Sequence, residues 1–267
     1  SCVSSRPLRL RTYLAPSIPA SLFEALADHL AASLGRAVDL SFDATRSGPR
    51  AGEPEPFSTG EVDVAFVCAT SWVWLTAVPD PPIRLVGAAW VPLDPRSEGQ
   101  PVYFGDVVVG PGGPATLAEL PGRRIAYNDD VSLSGYHSLR LALVQEGIDV
   151  DAVDFVRSGS HLRSLQLLCA GAVEAAAIDS TVWHRVSRRD SELDLVAIAA
   201  LGPHPVQPVV ARTGLAPAVR SAVRRALLTA DRVTAVRAEL AEAQLRRFVP
   251  VDDTRYLALA ERMARTA

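Results

Sequence analysis

The sequence predicts an α/β fold with mostly parallel sheets, arranged as two lobes with a ligand cleft between them. Strand and helix patterns alternate along almost the whole chain of 267 residues. One strand-and-helix series ends near residue 110, and a second begins at residue 117. The segment after residue 204 continues neither series, so we expect the chain to return there to the first lobe. The expected first lobe is 1–110 plus 204–267, and the expected second lobe is 111–203.

The first series begins with a strand at 8–14, where apolar and polar residues alternate. Ser17 is a candidate N-cap for the next helix, whose apolar residues recur at helical spacing until Gly35 ends it. The segment 44–60 is rich in Gly and Pro, which predicts a loop. The remaining predicted elements of this series are strands at 38–42, 62–68, 83–89 and 103–109 and a short helix at 70–77.

The second series begins with a helical turn at residue 117, followed by a strand that ends near Tyr127. A helix is predicted at 134–146, where Leu139, Ala142 and Leu143 share one face and Gly147 follows. The later predicted strands lie at 153–156, 175–178, 195–199 and 207–211, and the later helices at 162–170, about 215–245 and 252–265.

Composition excludes several classes of protein. The formal net charge is −3, so no overall positive field attracts nucleic acid or an anionic membrane. Cys2, Cys68 and Cys169 have neither disulfide-framework nor metal-ligand spacing, and the last two lie in apolar runs typical of inert core thiols. No apolar run reaches the roughly 20 residues that a membrane-spanning helix needs. We therefore expect no metal, no cofactor and no nucleic-acid partner.

The first seven residues leave two alternatives for Cys2. They are polar and contain no apolar core of a secretion signal. Cys2 beside a small residue fits the remnant of a bacterial lipoprotein site, in which the cysteine carries the lipid. The other interpretation is a free thiol at a frayed terminus.

Four predicted strand-to-helix loops carry small hydroxyl residues. In open α/β sheets, ligands bind at the carboxyl ends of strands, where helix N-termini present free N–H groups. Each hydroxyl, taken alone, is equally explained as a helix cap. Four loops at equivalent places favour a site for an oxyanion such as phosphate, phosphonate or carboxylate; they contain Ser17, Thr70 and Ser71, Ser132 and Ser134, and Ser158 and Ser160.

The segment 126–136 carries the most information about such a site. Gly135 at a helix start lowers stability relative to Ala unless something must approach the backbone closely. His161 begins a later helix and offers one hydrogen bond or a full charge, although a solvent-facing cap is the alternative. Asp179 ends an apolar strand, where it either accepts a ligand ammonium or hydroxyl or caps a helix. The other expected ligand-binding residues are Tyr13, Trp72, Tyr103, Leu133 and Tyr136. For the aromatic residues among them the alternative is a place in the hydrophobic core, which is more common at such positions.

These segments resemble the phosphonate- and phosphite-type substrate-binding proteins of bacterial ABC importers. The resembling pieces are 60–66, 117–126, Ser132-x-Ser134-Gly135-Tyr136, Gly159-Ser160-His161 and 171–180, in an order that covers residues 8 to about 230. The resemblance implies a two-lobed type II periplasmic-binding-protein fold. It also implies a small anionic ligand, a membrane permease as partner and a location outside the cytoplasm, either in the periplasm or anchored to the outer face of the cell membrane through Cys2.

The resemblance further implies roles for individual residues. Ser132, Ser134 and His161 would hold the phosphonate, Asp179 would meet a ligand amino group, and Trp72 would be the aromatic residue after the third strand. Leu133 departs from the family pattern, which often has Thr there, so one hydroxyl donor is lost and an apolar contact is gained. A less charged or bulkier ligand therefore fits this chain.

Two other functional classes remain open from the sequence. An enzyme on the same two-lobed fold is the main alternative, and a ligand-sensing domain is the second. We find no nucleophile–base pair, H-E-x-x-H, G-x-S-x-G or P-loop motif, so no catalytic residue is expected. The sequence therefore favours a monomeric solute-binding protein that captures its ligand in the interlobe cleft by hinge closure.

Overall fold

The structure, a computed structural model, describes residues 6–265, so Cys2 lies outside the described residues. Its strands are β1 (Leu8–Thr12), β2 (Val38–Phe42), β3 (Val64–Phe66), β4 (Ile83–Leu85), β5 (Ala88–Pro92), β6 (Val102–Val109), β7 (Arg124–Tyr127), β8 (Asp154–Arg157), β9 (Ala175–Asp179), β10 (Val196–Pro205), β11 (Val209–Arg212) and β12 (Leu245–Pro250). Its α-helices are α1 (Ala20–Leu34), α2 (Ala69–Thr76), α3 (Ser138–Gln145), α4 (His161–Cys169), α5 (Ser180–Arg189), α6 (Pro217–Leu228), α7 (Thr234–Glu242) and α8 (Thr254–Ala264).

The first lobe is built on a sheet with the strand order β2-β1-β3-β11-β4. Strand β1 is parallel to both of its neighbours, whereas β11 is antiparallel to β3 and β4. A two-stranded sheet of β5 and β12 belongs to the same hydrophobic core, because Trp90 and Phe248 pack with Phe23 and Phe66. Strands β11 and β12 come from the end of the chain, so the chain does return to its first lobe.

The second lobe is built on a sheet with the order β10-β6-β9-β7-β8. Strand β9 is buried along its whole length, which explains its run of three alanines before Ile178. Helices α3, α4 and α5 cover this sheet, and its two faces form separate apolar clusters. Because each lobe has its own sheet and core, the fold is the expected two-lobed α/β architecture.

The chain changes sheets earlier than the expected boundary at residue 110. Strand β6, at Val102–Val109, pairs with β9 and β10 in the second sheet. Tyr103, which we assigned to the first lobe, therefore lies on a second-lobe strand. The sequence pattern did not reveal this, because a strand buried along its whole length has the same apolar pattern in either sheet.

Three local predictions are also corrected. The long helix expected at about 215–245 is α6 and α7, and the chain then forms β12, which pairs with β5. The helix expected to begin at Ser134 begins as a π-helical turn over Leu133–His137, which continues into α3. Cys169 is exposed rather than buried, because it ends α4 on the side away from the sheet.

Among residues 6–265, no helix combines the length and the apolar character that crossing a membrane requires.

Candidate functional site

A small cavity lies where the two lobes meet, at the ends of strands from both sheets. Its volume is about 40 Å³. The first lobe contributes residues that follow β1 and β3, and the second contributes residues that follow β7, β8 and β9. It is lined by Tyr13, Leu14, Ala15, Ser17, Ile18, Ala44, Arg46, Ser47, Cys68, Tyr103, Asn128, Asp129, Ser132, Ser134, Gly159, Ser160, His161, Asp179 and Gln207.

Four helical segments begin at this cavity. Their N-cap residues all line it: Cys68 precedes α2, Ser132 the π-helical turn, Ser160 α4 and Asp179 α5. The first N–H groups of a helix lack intrahelical acceptors and carry the positive end of the helix dipole. The convergence of four such ends makes the cavity favourable for negative charge.

The two serines of the π-helical turn present hydroxyl groups to the cavity. Ser132 Oγ accepts a hydrogen bond from the Gly135 N–H at 3.0 Å, which leaves its own proton to donate elsewhere. Ser134 Oγ lies 3.5 Å from His161 Nε2, at the limit of a hydrogen bond. Both serines are 2% exposed, so a ligand that they bind would be almost fully removed from water.

The His161 imidazole is buried and incompletely hydrogen-bonded. Its backbone N–H donates to Ser17 Oγ at 3.1 Å, across the two lobes. Its Nδ1 atom has no hydrogen-bond partner of good geometry among the described residues, although the Ala177 carbonyl is near the ring. Burial lowers the pKa of His161, and the nearby carboxylates Asp179 and Asp129 only partly oppose this shift. The imidazole is therefore neutral at pH 7.

Asp129 holds the loop that precedes Ser132 in place. One of its oxygens accepts from the N–H groups of Val131 and Ser132, at 2.9 and 3.1 Å. The other accepts from the hydroxyl and the N–H of Ser47, at 2.6 and 3.2 Å. Since Ser47 belongs to the first lobe, this carboxylate also joins the two lobes at the cavity.

Asp179 is buried and caps α5. Its Oδ1 atom accepts from the N–H and the hydroxyl of Thr181 at 2.8 and 2.7 Å. Its Oδ2 atom accepts from Gln207 Nε2 at 2.7 Å. Gln207 lies on the segment by which the chain returns to the first lobe. Of the two interpretations from sequence, the capping role is therefore present, and one Oδ2 lone pair remains for a ligand donor.

The positive charge at the cavity is already paired. Among the described lining residues, the positive charge is that of Arg46. Its guanidinium contacts Glu53 at 2.7 Å and Asp130 at 3.1 Å. Burial raises the pKa of the Cys68 thiol to about 11, so it stays protonated, and its sulfur accepts from the Leu133 N–H at 3.1 Å. The described residues contain no group of three side chains able to hold a metal ion. An anion in this cavity would therefore be bound mainly by neutral hydrogen-bond donors, namely backbone N–H groups and hydroxyl groups.

The structure brings together part of the predicted site. Seven of the expected residues line the cavity: Tyr13, Ser17, Tyr103, Ser132, Ser134, His161 and Asp179. Six others do not: Thr70, Ser71, Trp72, Leu133, Gly135 and Tyr136.

The contacts that these residues make elsewhere explain why they do not line the cavity. Thr70 and Ser71 are fully buried in the first turn of α2, where the Ser71 hydroxyl donates to the Pro49 carbonyl. The Trp72 ring packs on Tyr256, with ring centroids 5.4 Å apart. The Tyr136 ring stacks on Tyr127 on the outside of the second lobe.

Leu133 and Gly135 act on the site without lining it. The Leu133 side chain is fully buried and belongs to the hydrophobic core of the first lobe, although its backbone is in the second. The apolar contact expected at this position is therefore a contact between lobes. Gly135 lies directly against the side chains of Asn128 and His161. These two side chains make the close approach to the backbone that a glycine at this position predicted.

Five polar residues among the described lining of the cavity were not expected from the sequence: Arg46, Ser47, Asn128, Asp129 and Gln207. Asn128 and Asp129 immediately follow β7, which is a signal that the general rule for strand ends contains. Ser47 and Gln207 carried no such signal, because one lies in an irregular loop and the other in a connecting segment.

Comparisons with known proteins agree with this architecture. A family model described as ABC transporter, phosphonate, periplasmic substrate-binding protein matches residues 13–256. A comparison with curated proteins finds no matching relative.

Two solved structures illustrate the similarity in fold. One is PhnD1 from Prochlorococcus marinus in complex with methylphosphonate, with a TM-score of 0.79 and 16% identity, covering 97% of each chain. The other is a binding protein component of an ABC phosphonate transporter from Pseudomonas aeruginosa, with a TM-score of 0.77 and 18% identity, covering 98% of this chain and 88% of that one.

Proposed function

Because the chain belongs to the family of periplasmic substrate-binding proteins of phosphonate ABC transporters, we propose that its interlobe cavity captures a small phosphonate-like anion. Proteins of this family bind small ligands outside the cytoplasm and work with a membrane permease. The fold and the family apply to this chain directly, whereas the ligand and its contacts are the proposal.

One observation carries the proposal: four helix N-termini and two buried serine hydroxyls converge on one cavity. Ser132 and Ser134 supply hydroxyl donors, and the helix ends supply the favourable potential. Hydrogen bonds to a charged ligand are worth about 1.5–3 kcal/mol each, so a few of them suffice for micromolar binding.

The charges at the cavity define the ligand further. Asp129 and Asp179 are both buried beside it, and Arg46, the cation among the described lining residues, is paired. A fully ionised phosphonate would be repelled by these carboxylates, as two like charges at close range are. The site therefore suits a ligand that also carries a donor, either a protonated P–OH group or an ammonium. Leu133 stands where the family often has Thr, and the absence of that hydroxyl donor also favours a ligand with less negative charge.

Closure of the two lobes completes the site. The described conformation has direct interlobe hydrogen bonds at the cavity, from Ser47 to Asp129 and from His161 to Ser17. Arg50 also reaches across to Asp130 at 2.7 Å. A ligand that touches both lobes stabilises this conformation by its differential affinity for the closed state. We therefore expect a monomer that closes like a hinge on its ligand.

A thermal-shift and calorimetry screen tests the ligand. Methylphosphonate, 2-aminoethylphosphonate, phosphite, phosphate, phosphate monoesters and small carboxylates are compared at equal concentration. A ligand at 100 times its Kd stabilises the protein by about 2.7 kcal/mol, which shifts the melting temperature clearly. The proposal fails if only carboxylates or no member of the set binds. Small-angle scattering with and without the ligand then measures closure and oligomeric state together.

The same samples separate the alternatives. Mass spectrometry of the ligand after prolonged incubation distinguishes a binding protein, which returns it unchanged, from an enzyme. The extracytoplasmic location leaves both interpretations of Cys2 open, as a lipid-carrying residue or as a free thiol. The mass of the protein extracted from membranes of its native host distinguishes them.

A further inference from the structure

A second, larger depression lies outside the interlobe cavity. Its apolar part has a volume of about 660 Å³ and runs between α2 and α8 of the first lobe and α3 of the second. Its lining includes Trp74, Leu141, Val144, Leu257 and Met263, together with Arg140, whose guanidinium lies over the Tyr136 ring. Leu257 is 53% exposed and Val144 is 45% exposed, which makes them two of the most exposed large apolar side chains among residues 6–265. Exposed apolar side chains gathered in one concave place mark a binding surface.

The depression continues into a basic part. This part has a volume of about 570 Å³ and shares Trp72, Thr76 and Leu257 with the apolar part. Arg84, Arg220 and Arg224 line it, against a single carboxylate, Asp253. We call the two parts together the outer groove, defined by the lining residues that β4, α2, α3, α6 and α8 contribute.

Two of the three arginines at the basic end lack a protein partner. Within residues 6–265, the side chains of Arg84 and Arg220 make no hydrogen bond and no ion pair. Arg224 donates from Nε to the Gly87 carbonyl at 3.1 Å, which leaves its terminal nitrogens. Elsewhere in the protein, arginines such as Arg96 and Arg212 are bound to buried carboxylates. The groove therefore has an apolar end and an end that would accept an acid group.

We propose that the outer groove binds a single-chain anionic amphiphile, with its alkyl chain between α2, α3 and α8 and its acid group at the basic end. Each methylene that leaves water strengthens binding about fourfold, so a chain of moderate length supplies the affinity. The arginines supply the selection for an anionic head group. A groove volume of several hundred Å³ is in the range of small-molecule sites. The proposal does not depend on the ligand of the interlobe cavity.

The groove draws its walls from both lobes. The Trp74 ring of the first lobe packs edge-on against His137 of the second, with centroids 5.5 Å apart. Two of the four tryptophans of the chain, Trp72 and Trp74, therefore line the groove and report on its occupation through their fluorescence.

The experiment is a tryptophan-fluorescence titration of the full chain, checked by calorimetry. The probes are laurate, dodecyltrimethylammonium and butyrate, each kept below any micelle-forming concentration. Laurate should bind at least tenfold more tightly than the cation with the same chain and than the short acid. Equal binding of laurate and the cation would show a merely apolar surface and would overturn the proposal. Binding only to anionic lipid vesicles, with none to monomeric laurate, would also overturn it.

Exposed substitutions locate the probe with little risk to folding. Arg84→Glu and Leu257→Asp, both at exposed groove residues, should each weaken laurate binding at least tenfold. Arg188→Glu and Val196→Asp are the matched controls, since both residues are exposed and neither lines the groove. If the controls weaken binding as much as the groove variants do, laurate binds elsewhere and the proposal is wrong. Unchanged methylphosphonate binding in all four variants separates this result from a failure of the interlobe cavity.

Discussion

The amide oxygen of Asn128 lies so close to the backbone of Gly135 that a Cβ atom at position 135 would be only 1.8 Å from it. The same Cβ atom would lie 2.9 Å from Cε1 of His161. Both side chains are buried, and Asn128 is held by hydrogen bonds to Ser47 and Asp129. Glycine at position 135 therefore allows two cavity-lining side chains to pack directly on the start of the π-helical turn.

We expect Gly135→Ala to damage both stability and ligand binding. Overpacking of this kind destabilises a protein by about 1–3 kcal/mol, because the neighbours must leave their positions. Chemical denaturation and calorimetry with the best ligand measure the two effects. Gly110→Ala is the control, since its added Cβ atom would meet only Leu195 at an ordinary 3.8 Å. An unaltered affinity in Gly135→Ala would show that the Asn128–His161 arrangement is not needed for binding.

Replacing both hydroxyls of the π-helical turn should abolish most of the affinity for an anion. The loss of one hydrogen bond to a charged ligand is worth about 1.5–3 kcal/mol, so Ser132→Ala with Ser134→Ala should weaken binding at least a hundredfold. Ser132 also caps the turn, and a lost cap lowers stability by about 1 kcal/mol. Asp149→Ala, which removes a cap far from the cavity, controls for this part. Normal binding by the double variant would exclude this turn from the site.

Leu133 should contribute to closure more than to the stability of either lobe. Its side chain is buried in the core of the first lobe while its backbone belongs to the second, so opening exposes it. We expect Leu133→Ala to reduce ligand affinity at least tenfold by destabilising the closed state, with a smaller effect on the unfolding of the unliganded protein. Leu139→Ala, within the second lobe's own core, should do the reverse. Calorimetry and thermal unfolding of both variants compare the two effects.

Asp179→Asn should distinguish ligands by their donors. The Thr181 bonds to one oxygen are retained, whereas the charge is lost and the new amide nitrogen faces the Gln207 Nε2 donor, so the Gln207 amide must turn. A charged hydrogen bond contributes about 1.5–3 kcal/mol, so the affinity for 2-aminoethylphosphonate should fall about ten- to a hundredfold. The affinity for ethylphosphonate, which lacks the ammonium, should change little. An equal loss for both ligands would mean that Asp179 acts only as the cap of α5.

His204 should make the protein less stable in acid. Burial, with the nearby charge of Arg262, lowers its pKa from 6.5 to about 3. Between these values the unfolded chain binds a proton that the folded protein does not, so stability falls as the pH decreases below 6.5. The loss is about 1.4 kcal/mol for each pH unit, or about 2 kcal/mol between pH 6.5 and pH 5.

Denaturant unfolding at pH 7 and pH 5 measures this loss in the wild type and in His204→Gln. The variant should lose about 2 kcal/mol less on acidification, because its side chain does not titrate. His29→Gln is the control, since this histidine lies between α1 and α6, where its Nε2 atom contacts the Ala226 carbonyl. Parallel pH profiles of the wild type and His204→Gln would contradict the prediction.

The sequence by itself determined the class of fold, the return of the chain to its first lobe and the loops at which helices begin. These features depend on local periodicity and on capping residues, which a few neighbouring positions specify. These rules therefore selected Ser132, Ser134 and His161, which lie at helix starts and line the cavity. The same rules also selected Thr70 and Ser71, which do not line it, since they do not say which hydroxyls of a first turn face the cavity.

Only the tertiary structure decided which strand joins which sheet and which loops meet. Strand β6 belongs to the second lobe because of its partners β9 and β10, which its own apolar pattern does not specify. Ser47 reaches Asp129 from 82 positions away, and Gln207 reaches Asp179 from 28. Leu133 leaves its own lobe for the core of the other. Such long-range contacts depend on how two lobes pack together, and no local pattern contains that information.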